Sequence, residues 1–578
     1  MNRSDTARSG GAGSFRLWSL SLLGLTALAA ALRIPNLGKP SFWWDECLTA
    51  RLLQDVSDAS PLVVLNALSR GLSPYFVLLA PLVGVGTPEW TLRVPSALAG
   101  VALVVVLALL GREIGGRPLG LRLGLLAAIS PWMVWHSREA RWYALTVLLV
   151  AIGLLFFVKL LRAWHWGLAA GCFAAGLAAA STYSPAITIL VLQFAWLGLA
   201  SQVRAGLTQR WLRAGGGRRT ILALIAGLLF LMAAVWSART LLLPAIAGGA
   251  GGFGFHNLGG PRLGAVAYTG IAHATGYTLG PGPSEWHLLD RIGLRSREVV
   301  LLVVGTLSFL ALTLIGARRI ATTRGRPFCA ALLMLAGVPT ILVIAASWWT
   351  DHAYAPRHVA FTYPVSLALA AAGLQREGMR RAAVLSGAIV ISLQAVALWN
   401  LYFEPRYLRE DIGAAARHIA ARAAPGDLVL LFGAVKVPWE YYYDGRAPWT
   451  MVYAGGGGAW SEERLRDRLA SQAQVWVVRG RMWEEPGAES LASIVDSWSP
   501  AVETSRFAGN VLVSRHRPGG AGTDGRDAPL PGNPVRHRPA GRTPRARSRR
   551  SQRGRPGISP SLPVEPVALS ARGARAIA

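Results

Sequence analysis

Eleven runs of mostly apolar residues dominate this sequence, each close to the roughly 20 residues that a bilayer core requires. They cover 17–32, 94–111, 119–135, 144–161, 166–182, 185–201, 220–243, 298–317, 327–347, 359–375 and 382–402. Only 15% of the 578 residues are charged, against about 25% in a soluble globular domain. The pattern excludes a soluble enzyme, a disordered protein and a disulfide scaffold. It predicts an α-helical polytopic membrane protein with about 11 transmembrane helices.

The distribution of basic residues predicts the orientation of these helices. With the N-terminus 1–16 in the cytoplasm, the inside segments contain 20 Arg and Lys in 69 residues. The loops that then lie outside contain 12 in about twice that length. They are 33–93, 136–143, 244–298 and 348–358. Cytoplasmic loops of membrane proteins are enriched in Lys and Arg, so this orientation is favoured, and an odd number of helices places the C-terminal part outside.

The composition changes after the last apolar run. Residues 403–515 predict a small extracytoplasmic α/β domain, with strands near 427–432, 450–454, 475–478 and 511–514 and helices near 408–423 and 462–470. Residues 516–578 are rich in Arg, Pro, Gly and Ser, which predicts a disordered basic tail. The net charge of +29 comes largely from this tail and from the inside loops, so it predicts no nucleic-acid partner.

Ionisable residues gather in three of the predicted outer loops. The first loop contains Trp43-Trp44-Asp45-Glu46, whose carboxylates could serve as a base or bind a metal, or could simply be solvated. Burial beneath the two Trp rings would raise the pKa of Asp45. The second loop contains Arg138-Glu139-Ala140-Arg141-Trp142-Tyr143, and the loop before the tenth run ends in Arg357-His358. Arginine binds phosphate well, although anchoring at the membrane surface is an equally good interpretation of these arginines.

Taken in order, these motifs resemble those of a known enzyme class. Trp44-Asp45-Glu46, Leu92-Arg93-Val94-Pro95, Ser137-Arg138-Glu139-Ala140-Arg141 and Pro356-Arg357-His358 follow one another as in the GT-C membrane glycosyltransferases. The sequence is most similar to the bacterial relatives of protein O-mannosyltransferases and of the aminoarabinose transferase that acts on lipid A. The resemblance covers roughly residues 15–515. The tail 516–578 has no counterpart.

The resemblance implies an activity and a set of site residues. Such enzymes use a polyprenyl-phosphate-linked sugar donor and transfer the sugar to a protein, lipid or polysaccharide acceptor. They are multi-pass proteins of the inner (plasma) membrane and contact its lipids. Their active site faces outside. Asp45 would be the base, with Glu46 beside it, and a divalent cation could be bound by Asp45 and Glu139. The substrate-binding candidates are Arg93, Arg138, Glu139, Arg141, Tyr143, Arg357 and His358.

This chemistry is compatible with the residue types present. A phosphate leaves as a stable anion, so the reaction needs one carboxylate base and positive charge rather than a second acid. Asp45 would take the proton of the acceptor hydroxyl while Arg138, Arg141 or Arg357 holds the phosphate, which gives a single inverting displacement. The alternatives are a transporter or lipid flippase, which would place ionisable residues at mid-membrane depth, and a membrane scaffold.

Overall fold

A computed structural model gives the structure of most of the chain. It describes residues 3–69, 72–84, 87–203, 263–282, 285, 295–349, 354–374, 381–454, 460–485 and 487–517. The predicted span 220–243 and nearly all of the basic tail lie outside the described residues. The predicted loop 244–298 is described only in part.

Helices make up most of the described chain as far as residue 403. They are α1 (Arg3–Arg33), α2 (Trp44–Asp58), α3 (Pro61–Ser69), α4 (Pro74–Leu79), α5 (Glu89–Ile129), α6 (Pro131–Ser137), α7 (Tyr143–Arg162), α8 (Trp166–Thr182), α9 (Ile187–Val203), α10 (Leu263–Thr275), α11 (Ser296–Thr323), α12 (Arg326–Trp349), α13 (Tyr363–Gly373) and α14 (Arg381–Phe403). A 3-10 helix, Pro356–Thr362, precedes α13.

Several of these helices can cross a membrane. Within the described residues, five are long and apolar enough by length and composition: Glu89–Ile129, Tyr143–Arg162, Ser296–Thr323, Arg326–Ala346 and Arg381–Phe403. Two shorter apolar helices, Trp166–Thr182 and Ser184–Gly198, accompany them. The chain is therefore a multi-pass, predominantly helical membrane protein. Ten of the eleven predicted spans fall on helices, whereas the number of crossings stays a prediction.

The helix α5 contains two of the predicted spans because it folds back on itself. Gly115 and Gly116 have non-helical backbone angles, and Gly116 has a φ of 82°, which a residue with a side chain rarely adopts. On the far side of this turn Gly120 lies so close to Ala108 that a Cβ would overlap the Ala108 carbonyl oxygen. Glycine thus provides both the turn and the close contact between the two arms.

Close packing also joins α11 to α13. A Cβ at Gly316 would overlap the carbonyl oxygen of Leu369, and one at Gly373 would overlap that of Leu312. Small residues allow helix backbones to approach in this way inside a membrane, where packing rather than water exclusion drives association.

The residues after α14 form a sheet covered by helices, which we name the C-terminal unit (404–517). Its elements are α15 (Ile412–Ala420), β1 (Leu428–Phe432), α16 (Lys436–Tyr442), β2 (Trp449–Met451), α17 (Glu462–Ala470), β3 (Val475–Arg479), α18 (Ala488–Trp498), β4 (Ala501–Phe507) and β5 (Val511–His516). The strand order is β2-β1-β3-β5-β4. β1 is parallel to β2 and β3, whereas β5 is antiparallel to β3 and β4.

The sequence locates most of this sheet. The four predicted strands correspond to β1, β2, β3 and β5, and apolar clusters cover both faces of the sheet. The edge strand β4 was not predicted. Its side chains alternate between exposed and half-buried and include Glu503 and Arg506, so it lacks the apolar run that marks a buried strand.

Direct contacts attach the C-terminal unit to the segment before α2. The Phe42 N–H donates to the Tyr442 hydroxyl at 2.5 Å, and that hydroxyl donates to Glu89 at 3.0 Å. The Ser41 hydroxyl donates to Asp411, which also caps α15. The start of α15 and the end of α16 therefore lie against the segment just before α2.

Candidate active site

The two adjacent carboxylates of the first loop lie in the first turn of α2. A helix N-terminus favours negative charge, because its backbone N–H groups lack partners within the helix. Successive residues on a helix point in different directions, so Asp45 and Glu46 have different neighbours. The structure gives the two carboxylates different partners.

Glu46 is bound to Arg93 on both carboxylate oxygens. Arg93 donates from Nε to Oε1 at 2.8 Å and from Nη2 to Oε2 at 2.5 Å. The backbone N–H of Ala140 donates to Oε1 at 2.7 Å. Both side chains are almost completely buried, and Arg93 also donates to the carbonyl oxygens of Leu37 and Pro40. Glu46 and Arg93 therefore join α2, α5 and the loop before α7 into one rigid unit.

Asp45 faces a group of guanidinium side chains. Its Oδ2 lies 3.4 Å from Nη1 of Arg357. Burial raises the pKa of Asp45, but the surrounding positive charges outweigh burial and hold the pKa below its ordinary value. Those charges are Arg141, Arg357, Arg481 and Arg409. The carboxylate is thus ionised at neutral pH. The prediction of a raised pKa was wrong, because the sequence did not reveal how many arginines converge on Asp45.

Arg141 is tied to the same helix one turn further along. Its Nη1 donates to the Thr49 hydroxyl at 3.3 Å, and this hydroxyl donates to the backbone oxygen of Asp45 at 2.9 Å. Its guanidinium carbon lies 3.9 Å from the ring centroid of Trp142. Arg141 is only 6% exposed, and among the described residues no carboxylate forms a salt bridge with it. Arg141 is thus a buried cation that retains N–H groups for further hydrogen bonds.

A second cation beside Asp45, Arg357, comes from the 3-10 helix before α13. Burial lowers the pKa of Arg357, but Tyr143, Asp45 and two further tyrosines outweigh it, so the pKa is raised. Tyr143 therefore lies near the Asp45–Arg357 pair. His358 accepts a hydrogen bond from the backbone N–H of Ala355 at 3.2 Å, which closes the start of this 3-10 helix.

Glu139 is paired with a cation from the C-terminal unit. Its carboxylate forms a salt bridge with Arg409 and lies 3.4 Å from Nδ1 of His136. The Arg409 guanidinium is stacked between Trp43 at 4.2 Å and Trp135 at 4.3 Å. Burial lowers the pKa of Arg409 to about 10. Arg409 comes from the C-terminal unit, so this unit reaches into the site.

Arg138 has a different environment from the other predicted phosphate ligands. It donates to the carbonyl oxygens of Arg33 and Pro35 at 3.1 and 2.7 Å, just after α1 ends. Its guanidinium also lies 5.0 Å from the ring centroid of Tyr402. The structure therefore places Arg138 as a link between α1 and α14, and Arg141 and Arg357 remain beside Asp45.

Sequence reasoning did not identify Arg409 and Arg481 as site residues. Arg409 adjoins the acidic pair Glu410-Asp411, a stretch in which the acids attract attention first. Arg481 follows β3 in a stretch without a recognisable motif. Its backbone has a φ of 49°. Nothing in a local pattern relates either arginine to Asp45 across more than 360 positions of sequence.

The suggested metal ligands do not fit a cation. Within the described ranges, no group of three or more His, Cys, Asp and Glu side chains is placed to hold a metal ion. Asp45 is 3.4 Å from Arg357, and Glu139 is bound by Arg409. Guanidinium groups around both carboxylates would repel a divalent cation, so no step below involves one.

Comparisons with known proteins give matches in structure alone. No protein-family model matches the sequence, and a search of curated protein sequences finds no match. ArnT from Cupriavidus metallidurans in the apo state matches with 15% identity over 89% of this chain and 100% of that chain, at a TM-score of 0.43. The Archaeoglobus fulgidus oligosaccharyltransferase tethered with an acceptor peptide matches with 12% identity over 86% of this chain and 74% of that chain, at a TM-score of 0.45.

A third match is the arabinofuranosyltransferase AftD from Mycobacteria, with 13% identity over 87% of this chain and 40% of that chain and a TM-score of 0.36. Two of these three proteins are sugar transferases by name, which is the class that the sequence resemblance predicted. All three TM-scores are below 0.5, so the likeness itself carries no conclusion about residues or substrate.

Proposed function

We propose that this chain is a membrane glycosyltransferase of the GT-C type. It transfers a sugar from a polyprenyl-phosphate donor to a hydroxyl group of an acceptor. The observation that carries this proposal is an ionised carboxylate, Asp45, beside Arg141, a buried guanidinium without a carboxylate salt bridge among the described residues. A base and a nearby binding group for an anion are the two requirements of transfer from a lipid phosphate.

The proposed reaction is a single displacement. The acceptor O–H gives its proton to Asp45 as its oxygen forms a bond to the anomeric carbon of the sugar. The bond between that carbon and the phosphate oxygen breaks, and its electron pair leaves with the polyprenyl phosphate. Arg141 and Arg357 stabilise the negative charge on the departing phosphate. The attack comes from the face opposite the leaving group, so the configuration inverts.

The low pKa of Asp45 is compatible with its role as base. In the free protein the neighbouring guanidinium groups make this carboxylate a weak proton acceptor. A bound donor phosphate would neutralise part of the field of Arg141 and Arg357, and the pKa of Asp45 would then rise. The base would therefore become stronger only when the donor is in place, which would limit proton uptake without a substrate.

Glu46 has a positioning role in this proposal. Arg93 donates to both of its oxygens, and the backbone N–H groups of Ala140 and Trp43 donate to Oε1 and Oε2, so all four lone-pair positions of the carboxylate are occupied. It fixes the first turn of α2, and with it the direction of the Asp45 side chain. Glu139 similarly orients Arg409 between the two Trp rings.

We also propose that the chain crosses the inner membrane eleven times, with the site and the C-terminal unit outside. The support is the excess of basic residues in the predicted inside segments. Exposed Trp399 and Phe403 near the end of α14, and Trp164 and Trp166 between α7 and α8, supply aromatic residues of the kind found at membrane surfaces. The acceptor is a protein, lipid or polysaccharide hydroxyl.

The position of the charges favours an enzyme over a transporter or flippase. In α7 the charged residues Lys159 and Arg162 are confined to the last turn. In α12 and α14 the charged residues, Arg326 and Arg381, are the first of each helix. A transporter would need ionisable groups along a path through the membrane, and these three helices offer none at mid-length.

The test is transfer by the purified protein in lipid nanodiscs. It is incubated with a panel of radiolabelled polyprenyl-phosphate sugars and with candidate acceptors. Asp45→Asn should lower turnover by about 10² to 10⁴, the range for loss of a general base, while donor binding is kept. The control is Asp58→Asn, the same change at the exposed far end of the same helix.

Two results would count against the proposal. If no donor of the panel yields a labelled product with the unaltered protein, the assignment as a sugar transferase is wrong. If Asp45→Asn transfers sugar at the normal rate, Asp45 is not the base, and Glu139 becomes the next carboxylate to test.

A further inference from the structure

A group of aromatic side chains lies where α6 and the start of α7 meet the end of α10. We name it the aromatic cluster, and it consists of Trp132, His136, Tyr143, His273 and Tyr277. The His136 ring is central, and its centroid lies 4.4 Å from that of Trp132 and 5.0 Å from that of Tyr143. The Trp132 ring in turn lies 5.7 Å from that of His273. Every member except Tyr277 is buried, so the cluster is most accessible at that ring.

Three nitrogen atoms of the aromatic cluster are buried and unpaired. Nε2 of His136, Nε2 of His273 and Nε1 of Trp132 find no hydrogen-bond partner among the residues that the structure describes. These residues are 2%, 8% and 0% exposed. The large majority of buried side-chain polar atoms in proteins are hydrogen-bonded, and each exception needs an explanation. Three such atoms on neighbouring rings indicate that a polar molecule binds among them.

The other ring nitrogen of His136 restricts what Nε2 can bind. Nδ1 lies 3.4 Å from Oε2 of Glu139, and the same carboxylate forms the salt bridge with Arg409. An ionised carboxylate only accepts hydrogen bonds, so Nδ1 carries a proton. Nε2 is then an acceptor in the neutral ring and a donor in the protonated ring. A hydroxyl group both donates and accepts, so it complements Nε2 in either state.

Ring contacts connect the aromatic cluster to the proposed phosphate ligand Arg141. The Tyr143 ring lies 5.5 Å from that of Trp142, and Trp142 packs on the guanidinium of Arg141 at 3.9 Å. Two aromatic rings therefore separate His136 from Arg141. In a polyprenyl-phosphate donor the sugar is bonded directly to the phosphate, so a phosphate held by Arg141 keeps the sugar next to these rings.

We propose that Nε2 of His136 forms a hydrogen bond with a hydroxyl group of the transferred sugar, with the rings of Trp132 and Tyr143 beside the sugar. This inference rests on the proposed function and names the part of the site that recognises the sugar. Ligand sites are lined mainly by apolar and aromatic side chains, and a few polar atoms fix the orientation of the ligand. Glu139 is a positioning residue for this contact, because it holds the His136 ring at Nδ1.

The experiment measures the binding of radiolabelled lipids to the purified protein in lipid nanodiscs. The probes are polyprenyl phosphate without a sugar and polyprenyl phosphate that carries mannose, glucose or arabinose. The readout is the sugar gain, defined as the Kd of the bare lipid phosphate divided by the Kd of the tightest sugar-bearing lipid. In the unaltered protein the sugar gain should exceed one, since the sugar adds contacts that the bare lipid lacks.

Two substitutions of His136 separate its two nitrogen atoms. In His136→Asn the amide reaches the position of Nδ1 and can still donate to Glu139, but nothing replaces Nε2. In His136→Gln the amide reaches the position of Nε2. The sugar gain should fall about fivefold or more in His136→Asn, because a buried hydroxyl then loses its partner, and should be largely kept in His136→Gln. The Kd of bare polyprenyl phosphate should be unchanged in both.

Two further variants control for folding and for the substitution itself. His136→Phe keeps a ring beside Trp132 and Tyr143, and it replaces His136→Asn if that variant does not fold. His165→Asn is the matched control, because His165 is exposed at the start of α8 and Asn also caps a helix well. It should leave the sugar gain unchanged. Folding is checked by the thermal unfolding midpoint in detergent.

Each outcome decides the inference. A smaller sugar gain in His136→Asn or His136→Phe, kept in His136→Gln and His165→Asn, supports it. An unchanged sugar gain in a folded His136→Asn or His136→Phe overturns it and leaves water as the partner of Nε2. A loss in His136→Gln that equals or exceeds the loss in His136→Asn overturns it too, since the missing group is then not Nε2.

The unaltered protein separates this inference from the proposed function. If it binds bare and sugar-bearing lipids equally tightly, the inference alone is wrong, because the sugar then adds no contact. If it binds none of the lipids, the proposed function is wrong and the inference falls with it.

Discussion

The buried pair of Glu46 and Arg93 gives a prediction whose size follows from the geometry. The side chains are 1% and 4% exposed, and the guanidinium binds both carboxylate oxygens. Arg93→Met keeps a stem of similar length but leaves Glu46 with the Ala140 N–H as its main donor. Removal of one partner from a buried ion pair costs about 3–5 kcal/mol, because the remaining charge is uncompensated. We expect a loss of this size in the free energy of unfolding.

The measurement is reversible unfolding by SDS in mixed micelles, for Arg93→Met, Glu46→Gln and the double variant. The double variant should be less destabilised than Arg93→Met, since neither charge is then left alone in the interior. Arg51→Met is the control. It breaks an ion pair of the same helix with Glu440, but Arg51 is 49% exposed, and such pairs contribute about 0–1 kcal/mol.

The pH dependence supplies an independent check on the same pair. Burial raises the pKa of Glu46, but Arg93, Arg409 and the Ala140 N–H outweigh burial and hold the pKa below its ordinary value. The contribution of Glu46 to stability is thus present above the unfolded pKa of about 4.3 and is lost as the pH falls through the folded pKa. In Arg93→Met burial dominates, so the folded pKa lies above the unfolded one and the variant gains stability as the pH falls. The difference in the free energy of unfolding between Arg93→Met and the unaltered protein should therefore become smaller as the pH falls. A constant difference, or a loss below about 1 kcal/mol at neutral pH, would refute the reasoning.

Three further predictions concern donor binding, orientation and packing. Arg141→Ala should raise the donor KM about tenfold or more, since a charge-assisted hydrogen bond contributes about 1.5–3 kcal/mol, and an unchanged KM in transfer kinetics would place the phosphate elsewhere. In intact cells, an impermeant thiol reagent should label Glu463→Cys but not Ala163→Cys, and the reverse pattern would invert the proposed topology. Gly316→Leu should lower the thermal unfolding midpoint strongly, because the added side chain meets the Leu369 carbonyl oxygen, whereas a normal midpoint would show that α11 and α13 can separate at little cost.

The sequence predicted the helical framework because its signals are local. Each apolar run sits on a stretch that the structure describes as helix, apart from 220–243, which lies outside the described residues. The break within α5 lies between the predicted runs 94–111 and 119–135. The strands β1, β3 and β5 were predicted for the same reason, as short apolar runs bounded by turns. Strand β4 was missed because an exposed edge strand needs no apolar run.

The residue types of the site, but not their pairing, were visible in the sequence. Asp45, Glu46, Arg141 and Arg357 stand in loops next to apolar runs, where a charge is costly without hydration or a partner. Their partners are far away in sequence, and the choice of partner depends on which helix ends meet. Glu46 thus turned out to be bound by Arg93, and Arg138 to be occupied by backbone carbonyl oxygens.

The sequence by itself determined that this chain is a helical membrane protein, which stretches form its long apolar helices, and which short stretches carry ionisable groups. These properties depend on residues close together in the chain and on the cost of placing polar groups in lipid. Only the tertiary structure decided which of the two adjacent carboxylates is surrounded by cations. It brings Arg409 and Arg481 to Asp45 from the C-terminal unit and thereby lowers a pKa that burial alone would raise. The reason is that a pKa sums the fields of all nearby charges, and folding alone sets those distances.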